Sequence, residues 1–192
     1  MKKILLLDGH PDDKSFCSAM VEKYREGAKS SGFEIDVLKI RDLKFDSILH
    51  FGYRQRQELE KDLLMAQEKI KNCEHLVFVA PVWWGSLPGL TKGFFDRILL
   101  SGFSHKFNPA KKRQDKLLTG RSASVIYTQG GPWWYSKFFV GDAFWKAVKR
   151  AIFGFVGFSP IKRKYYDTVK SGDDTERARI LEDVYKLGKK GF

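Results

Sequence analysis

Cysteines and long apolar runs are scarce in this chain. Its 192 residues include only two cysteines, Cys17 and Cys73, which excludes a disulfide framework and a cysteine-rich metal site. The apolar run at residues 4–7 meets Asp8 before it is long enough for a secretory signal or a membrane span. We therefore expect a cytoplasmic protein in which both cysteines are buried, free thiols within helices.

Acidic residues are too few to balance the basic ones. The chain has 35 Lys and Arg against 23 Asp and Glu, which gives a net charge of +12. Such a charge occurs in proteins that bind nucleic acids or anionic membranes. The cations are spread along the sequence, apart from a run at residues 111–116, and this pattern favours a solvated basic surface. We therefore predict no nucleic-acid partner.

The chain shows a regular alternation of strand and helix patterns. Apolar or alternating runs predict strands at residues 3–8, 34–40, 75–81, 122–128 and 162–169. Amphipathic spacing predicts helices at residues 15–29, 54–72, 88–99, 142–153 and 175–187. This alternation predicts an α/β fold, namely a flavodoxin-like three-layer sandwich with a five-stranded parallel sheet of order 2-1-3-4-5. One such domain is expected to fill residues 1–192.

A sheet of this type binds its ligand outside the carboxyl ends of the strands. The segments that follow Asp8, Ala80 and Thr128 are therefore expected to meet and to carry the chemistry. All three are unusual in composition. One is polar, one holds two adjacent tryptophans, and one joins paired glycines to aromatic residues.

The polar segment, residues 8–16, runs from a strand into the start of a helix. Free backbone amides and the helix dipole hold a phosphate at such places, and His10, Lys14 and Ser15 would add hydrogen bonds or charge. A second interpretation stays open, in which Asp13 or Ser15 only caps the helix and His10 belongs to a turn. The segment has neither a Walker A nor a Gly-x-Gly-x-x-Gly motif.

The His-Pro-Asp-Asp sequence at residues 10–13 also resembles the signature of zinc-dependent N-acetylglucosaminyl deacetylases. That family continues its motif with Glu, where this chain has Lys14. A catalytic zinc needs three protein ligands. The segment offers only two close candidates, and His50, His75 and His105 stand alone. We therefore predict no metal site and keep the deacetylase as a lesser alternative.

The tryptophan segment spans residues 80–97. Its backbone can offer N–H and C=O groups to the edge of a flat heterocycle while the indole of Trp83 or Trp84 closes over its face. A hydrophobic dimer patch is a compatible interpretation. In the third segment, residues 128–135, paired glycines allow a ligand to approach closely and aromatic residues would roof a pocket. An ordinary Gly-Gly turn is the alternative there.

Together the three segments resemble the NAD(P)H:quinone oxidoreductase family, whose relatives include potassium-efflux ancillary reductases, drug-activity modulator reductases and azoreductases. The strongest match is residues 81–97, where that family shows Pro, two residues, Trp, and later Pro and Leu-Lys-Gly-Trp-Phe-Asp/Glu-Arg. The resemblance implies FAD or FMN as cofactor and NADH or NADPH as donor. It also implies ping-pong hydride transfer through flavin N5 to a quinone, nitro or azo compound, and a homodimer.

The resemblance further implies roles for individual residues. Those matching the family's flavin-binding positions are His10, Ser15, Phe16, Pro81, Val82, Trp83, Trp84, Thr128, Gln129, Gly130 and Gly131. Trp84 matches the active-site tryptophan, and Tyr135 is the candidate for a catalytic tyrosine. The family's histidine has no counterpart, because Val140 stands at its position.

One alternative function comes from the potassium-efflux relatives, which regulate a membrane transporter. The basic, aromatic stretch at residues 144–153 could dock on such a partner or on a membrane surface. An amphipathic core helix is the favoured interpretation of the same stretch. The leading hypothesis is therefore the enzyme, and the regulatory subunit is its alternative.

Overall fold

The computed structural model describes residues 2–167, 169 and 172–192. The strands are β1 (Lys3–Asp8), β2 (Glu34–Lys39), β3 (His75–Pro81), β4 (His105–Asn108), β5 (Arg113–Lys116), β6 (Ser122–Thr128) and β7 (Ile161–Tyr166). The α-helices are α1 (Phe16–Ser30), α2 (Lys61–Asn72), α3 (Gly89–Ile98), α4 (Trp133–Phe138), α5 (Ala143–Lys146), α6 (Gly154–Val156) and α7 (Asp174–Lys189). A 3₁₀ turn at Ile40–Asp42 and a π-helix at Ala147–Phe153 complete the described elements.

A five-stranded parallel sheet of order β2-β1-β3-β6-β7 forms the centre of the fold. Strands β4 and β5 pair with each other as a separate antiparallel hairpin. When only the strands of the main sheet are counted, the order is 2-1-3-4-5. The predicted α/β, flavodoxin-like architecture is therefore confirmed.

Side chains of the central strands alternate between two hydrophobic cores, one on each face of the sheet. In β1, Leu5 and Leu7 pack towards α2, α3 and the π-helix, whereas Ile4 and Leu6 pack towards α1 and α7. All of β3 is buried, as expected for a strand covered on both faces. Burial on both faces explains why these strands are continuous apolar runs rather than alternating ones.

The helix predicted at residues 54–72 begins later, at Lys61. The guanidinium of Arg97, in α3, donates hydrogen bonds to the carbonyl of Asp46, to the carbonyl of Glu58 at 2.9 Å and to the carboxylate of Glu60 at 2.9 Å. These bonds hold the backbone before Lys61 as a loop that lies against α3. The predicted start of this helix was therefore wrong, although its buried stripe is present from Leu63 onward.

Other boundaries also differ from the prediction. The predicted helix at 142–153 is a short α-helix followed by a π-helix, and it buries Phe144, Val148 and Phe153. The basic, aromatic stretch is thus a core helix with its cations on the exposed side. The predicted strand at 162–169 ends at Tyr166, and Thr168 lies outside the described residues. The hairpin of β4 and β5 and helix α4 were not predicted.

Both cysteines are free and buried, as predicted. Burial raises the pKa of Cys17 to about 12 and that of Cys73 to about 11, so both are thiols at neutral pH. Cys17 lies in α1, whereas Cys73 follows the last residue of α2. Among the residues that the structure describes, no helix has the length and apolar character needed to cross a membrane.

Candidate functional site

The register of the sheet brings the three predicted segments to one edge. Asp8 pairs with Val79, and Pro81 pairs with Thr128, so the strands β1, β3 and β6 end at similar heights. Beyond β3, the amide of Val82 donates to the carbonyl of Thr128 at 2.8 Å. The loops after β1, β3 and β6 therefore leave the sheet side by side at its carboxyl edge.

The first loop is anchored at Gly9. Its amide donates to the carbonyl of Val79 at 2.8 Å, and its carbonyl accepts the buried hydroxyl of Thr91 at 2.6 Å. A Cβ at this position would lie 2.7 Å from the ring of Phe78 and 3.1 Å from Ala80. Glycine is therefore required at this position by close packing, and α3 holds the base of the loop.

Helix α1 starts where this loop ends. The Ser15 hydroxyl accepts the Ser18 amide at 3.1 Å, so Ser15 caps the helix as one of the two interpretations expected. This cap satisfies only one of the free backbone amides at the start of the helix. In the described part of the chain, the amides of Phe16 and Cys17 have no acceptor. Capping and anion binding are therefore compatible at this end of α1.

His10 lies in the loop with a defined tautomer. Its Nδ1 accepts the Asp12 amide at 3.0 Å, so the neutral ring carries its proton on Nε2. Burial lowers the pKa of His10, which favours this neutral form. The ring stands edge-on to Trp83, with 5.6 Å between centroids. His10 thus belongs to a turn and still has one N–H available as a donor.

The second loop is a two-residue hairpin turn. Trp83 and Ser86 exchange backbone hydrogen bonds of 3.0 and 2.9 Å, with Trp84 and Gly85 between them. Both central residues have positive φ, 51° for Trp84 and 71° for Gly85, as in a type I′ turn. A bulky residue is strained in this conformation. The Trp84 side chain is fully exposed, and neither central amide has an acceptor among the described residues.

The third loop is open where the glycines stand. The amide of Gln129 donates to the carbonyl of Tyr166 at 3.0 Å, and its side-chain amide donates to the carbonyl of Gly131 at 3.0 Å. A Cβ at Gly131 would meet nothing within 4 Å. Packing within the chain therefore does not explain a glycine there. The amide of Trp133 donates a hydrogen bond to the carboxylate of Asp167 at 2.7 Å.

A cleft of about 200 Å³ separates the second and third loops. Its lining includes Val82, Gly85, Gln129, Gly131, Tyr135 and Val140. Among the predicted catalytic residues, Tyr135 lines the cleft, whereas Trp84 points away from the chain into solvent. His10, Ser15 and Phe16 lie at the first loop, away from the lining of this cleft. Pro81 and Thr128 are buried at the strand ends.

Arg163 lies behind the cleft that Val140 lines. In the family that the sequence resembles, a histidine stands at the position of Val140. Arg163 donates to the carboxylate of Asp142 at 2.6 Å and lies over the ring of Trp145 at 5.3 Å. Asp142 and Tyr127 line both the cleft and a small cavity that reaches Arg163. Burial raises the pKa of Tyr127 to about 12, so it remains a neutral hydroxyl. No sequence pattern pointed to Arg163.

Three further polar residues at the first loop were not predicted. Asp8, Ser18 and Arg41 form a buried hydrogen-bond network at the base of the loop. Asp8 had a weak signal, since a charged residue at the end of an apolar strand is unusual. Arg41 had none, because its contact with Asp8 spans a large separation in sequence.

Several large apolar side chains are exposed around this edge of the sheet. The exposed aromatic surface comprises Trp83, Trp84, Trp133, Trp134, Phe138 and Phe139. Patches of this kind mark binding sites or interfaces more often than free surface. Among the described residues, no three His, Cys, Asp or Glu side chains come together as metal ligands.

Comparison with known proteins gives relatives over most of the chain. NAD(P)H dehydrogenase (quinone) 1 of Cavia porcellus is 25% identical over 158 residues, which is 68% of this chain and 58% of that protein. The solved structure of Smu.1420 from Streptococcus mutans UA159 is 25% identical, covers 98% of this chain and 99% of its own, and superposes with a TM-score of 0.86. The matched part of the chain spans less than two thirds of the first curated relatives.

A third similar protein was solved with a ligand. The FMN-dependent NADH-azoreductase of Bacillus anthracis str. Ames Ancestor, in complex with FMN, is 20% identical and covers 100% of this chain and 97% of its own. Its TM-score of 0.75 shows a shared fold. The model of one protein family, described as flavodoxin-like fold, matches residues 2–188. The chain therefore belongs to the family of proteins with this flavodoxin-like fold.

Proposed function

We propose that the chain is a flavin-dependent oxidoreductase that takes electrons from NADH or NADPH and reduces a quinone, nitro or azo compound. The observation that carries the proposal is the convergence of three loops, with unpaired amides among their described residues, at the carboxyl end of one parallel sheet. A relative named for NAD(P)H-dependent quinone chemistry and a neighbour solved with FMN support it.

The residues at this edge fit a flavin, either FMN or FAD. The unpaired amides of Phe16 and Cys17 would hold its phosphate at the positive end of α1, with the Nε2 proton of His10 and the Ser15 hydroxyl nearby. The amides of Trp84 and Gly85 would meet the polar edge of the ring system. The open space at Gly131, beside Thr128 and Gln129, would admit the ring from the other side.

When bound, the flavin would supply the chemistry by accepting a hydride from the nicotinamide at N5 and passing it to the acceptor, with donor and acceptor using one place in turn. The protein orients these molecules and excludes water. Trp84, on the tip of its turn, would close over the exposed ring face. The Tyr135 hydroxyl, in the cleft wall, would donate a hydrogen bond to the acceptor's oxygen or nitrogen. Pro81, Val82 and Trp83 would fix the loop against the ring.

We further propose that the active form is a homodimer. Six large aromatic side chains form the exposed aromatic surface, and a second subunit would bury them. A single domain over residues 1–192 and a cytoplasmic location remain predictions of the sequence. Size-exclusion chromatography with light scattering tests the dimer, and a monomer at micromolar concentration would contradict it.

The visible absorption spectrum of the purified protein tests the function. We expect flavin bands that bleach under anaerobic NADH or NADPH and return when a quinone is added. A colourless protein that takes up neither FMN nor FAD would overturn the proposal. If NADH and NADPH bleach the flavin at different rates, the faster of the two is the preferred donor.

A further inference from the structure

The loop that the proposed function assigns to the flavin phosphate carries an excess of negative charge. Residues 8–16 include Asp8, Asp12 and Asp13 but only one lysine, Lys14. A buried carboxylate close to an anion site opposes the binding of a phosphate, because the interaction is poorly screened there. Asp8 is fully buried at the base of this loop. Its charge must be compensated if the loop is to hold a phosphate.

Arg41, in the turn after β2, makes this compensation. Its Nη1 donates to Asp8 Oδ2 at 2.8 Å and to the carbonyl of His10 at 3.0 Å. The Arg41 side chain is only 8% exposed. Its buried Nε has no hydrogen-bond partner among the described residues and lies 4.0 Å from the exposed carboxylate of Asp42. A buried guanidinium–carboxylate bond is among the stronger hydrogen bonds in proteins. Arg41 therefore both neutralises Asp8 and fixes the backbone at His10.

Asp8 connects this contact to the start of α1. Its Oδ1 accepts the His10 amide at 3.0 Å, and its Oδ2 accepts the Ser18 hydroxyl at 3.0 Å. The Ser18 hydroxyl in turn lies 3.0 Å from the capping hydroxyl of Ser15. One carboxylate thus joins Arg41 to both ends of the loop that precedes the unpaired amides.

We infer that Arg41 is a positioning residue for the phosphate end of the flavin: it cancels the charge of Asp8 and holds the loop so that the first amides of α1 face a phosphate ester. The inference rests on the proposed function and deepens it. It predicts recognition of the phosphate that FMN and FAD share and that riboflavin lacks.

Flavin fluorescence titrations test the inference. The dissociation constants of FMN, FAD and riboflavin are measured for the flavin-depleted full chain and for Arg41→Met. We expect Arg41→Met to weaken FMN and FAD about tenfold or more, because a charge-assisted contact is lost, and to change riboflavin by less than about twofold. Arg41→Lys keeps the charge and should recover part of the loss.

Lys39→Met is the matched control. Lys39 pairs with Asp8 across the two strands, but its side chain is more than one third exposed and reaches Glu22 rather than the loop. Its charge is screened by water, so the preference for FMN over riboflavin should stay within about twofold of the wild-type value. An equal loss in both variants would attribute the effect to general surface charge and overturn the inference.

A second pair of variants covers the risk that Arg41→Met unfolds, since it leaves a buried carboxylate unpaired. Asp8→Asn should raise the preference for FMN over riboflavin several-fold, because Arg41 becomes an uncompensated cation. Asp8→Asn with Arg41→Met should return close to the wild-type preference. A double variant with no such recovery would overturn charge compensation. Failure of the wild type to bind any flavin would instead overturn the proposed function.

Discussion

The two ends of the central sheet are finished in different ways. At the amino end, backbone groups just outside the strands pair across neighbouring segments. The Glu74 amide donates to the carbonyl of Lys3 at 3.0 Å, and the Ser122 amide donates to the carbonyl of Glu74 at 3.1 Å. At the carboxyl end, the amides of Gly9 and Val82, directly after their strands, also pair, but those of Phe16, Trp84 and Gly85, further along the loops, lack acceptors among the residues described. Backbone groups that are paired contribute stability, whereas unpaired donors beyond them are suited to a ligand.

The same contrast applies within the carboxyl end. The loop after β1 is held by the Thr91 hydroxyl and by the buried Asp8–Arg41 pair. The turn at Trp84 carries positive φ in a bulky residue and exposes the whole indole. Backbone strain of this type persists where function requires it. We therefore expect substitutions at the amino end and at Gly9 to affect folding, and those at the second and third loops to affect binding. Substitutions of the Asp8–Arg41 pair should affect both.

The largest expected effect concerns pH and lies at the amino end. Burial, assisted by the charge of Lys2, lowers the pKa of His75 to about 4. The unfolded chain then binds one more proton than the folded chain between pH 6.5 and 4, so the contribution of His75 is complete above pH 6.5 and is lost as the pH falls towards 4. The loss should reach up to about 3 kcal/mol.

Urea unfolding at pH 7 and pH 4.5 measures this effect. His75→Gln keeps a partner for the Ser122 hydroxyl but cannot titrate, so it should flatten the difference between the two pH values. Other titrating groups are common to both proteins and cancel. Equal pH dependence in wild type and variant would show that His75 is not the source.

Gly9→Ala should destabilise the first loop. Its new Cβ would lie 2.7 Å from the Phe78 ring in a packed core, so the free energy of unfolding should fall by about 2 kcal/mol. The midpoint of urea denaturation measures this fall. Unchanged stability would mean that the ring of Phe78 moves aside easily and that the loop is looser than its packing indicates.

Trp84→Asn should act in the opposite direction on stability. Asn followed by glycine is the favoured pair in a type I′ turn, so relief of strain should raise the free energy of unfolding by about 1 kcal/mol. Turnover with quinones should fall while flavin is retained. Trp84→Ala is the control, because it removes the indole and keeps a strained φ. A destabilised Trp84→Asn variant would show that the exposed indole contributes to folding.

Gly131→Ala should have the smallest effect on folding. Its Cβ would enter open space, so stability should change by less than about 0.5 kcal/mol. If the flavin ring occupies that space, FMN affinity should fall even so, and fluorescence titration measures it. Unaltered affinity would place the ring elsewhere. The pair Gly9 and Gly131 thus separates a glycine needed for packing from one needed for a ligand.

Much of the fold was predictable because its signals are local. The apolar runs of β1, β3 and β6 and the stripe of Leu63, Ala66 and Ile70 reflect burial directly. The hairpin of β4 and β5 was missed because its residues are mostly polar and exposed. The start of α2 depends on Arg97 in a distant helix, and no local pattern contains that information.

The candidate site was predictable in location and less so in geometry. The rule for parallel sheets identified the three loops from the strand pattern alone. The direction of Trp84 could not be foreseen, since it follows from a left-handed turn in place of an extended loop. The Asp8–Arg41 contact joins the last residue of β1 to the 3₁₀ turn that follows β2, so it becomes visible only when the sheet is assembled.

The hydrogen bond from the Val82 amide to the Thr128 carbonyl has a consequence for protein engineering. It joins the first residue of the second loop to the strand end from which the third loop starts. If only one of the two loops were replaced by that of a relative with another specificity, this hydrogen bond would be strained, because the other loop would not match the new one. The two loops should therefore be exchanged as one cassette, and natural variation in either should be accompanied by variation in the other.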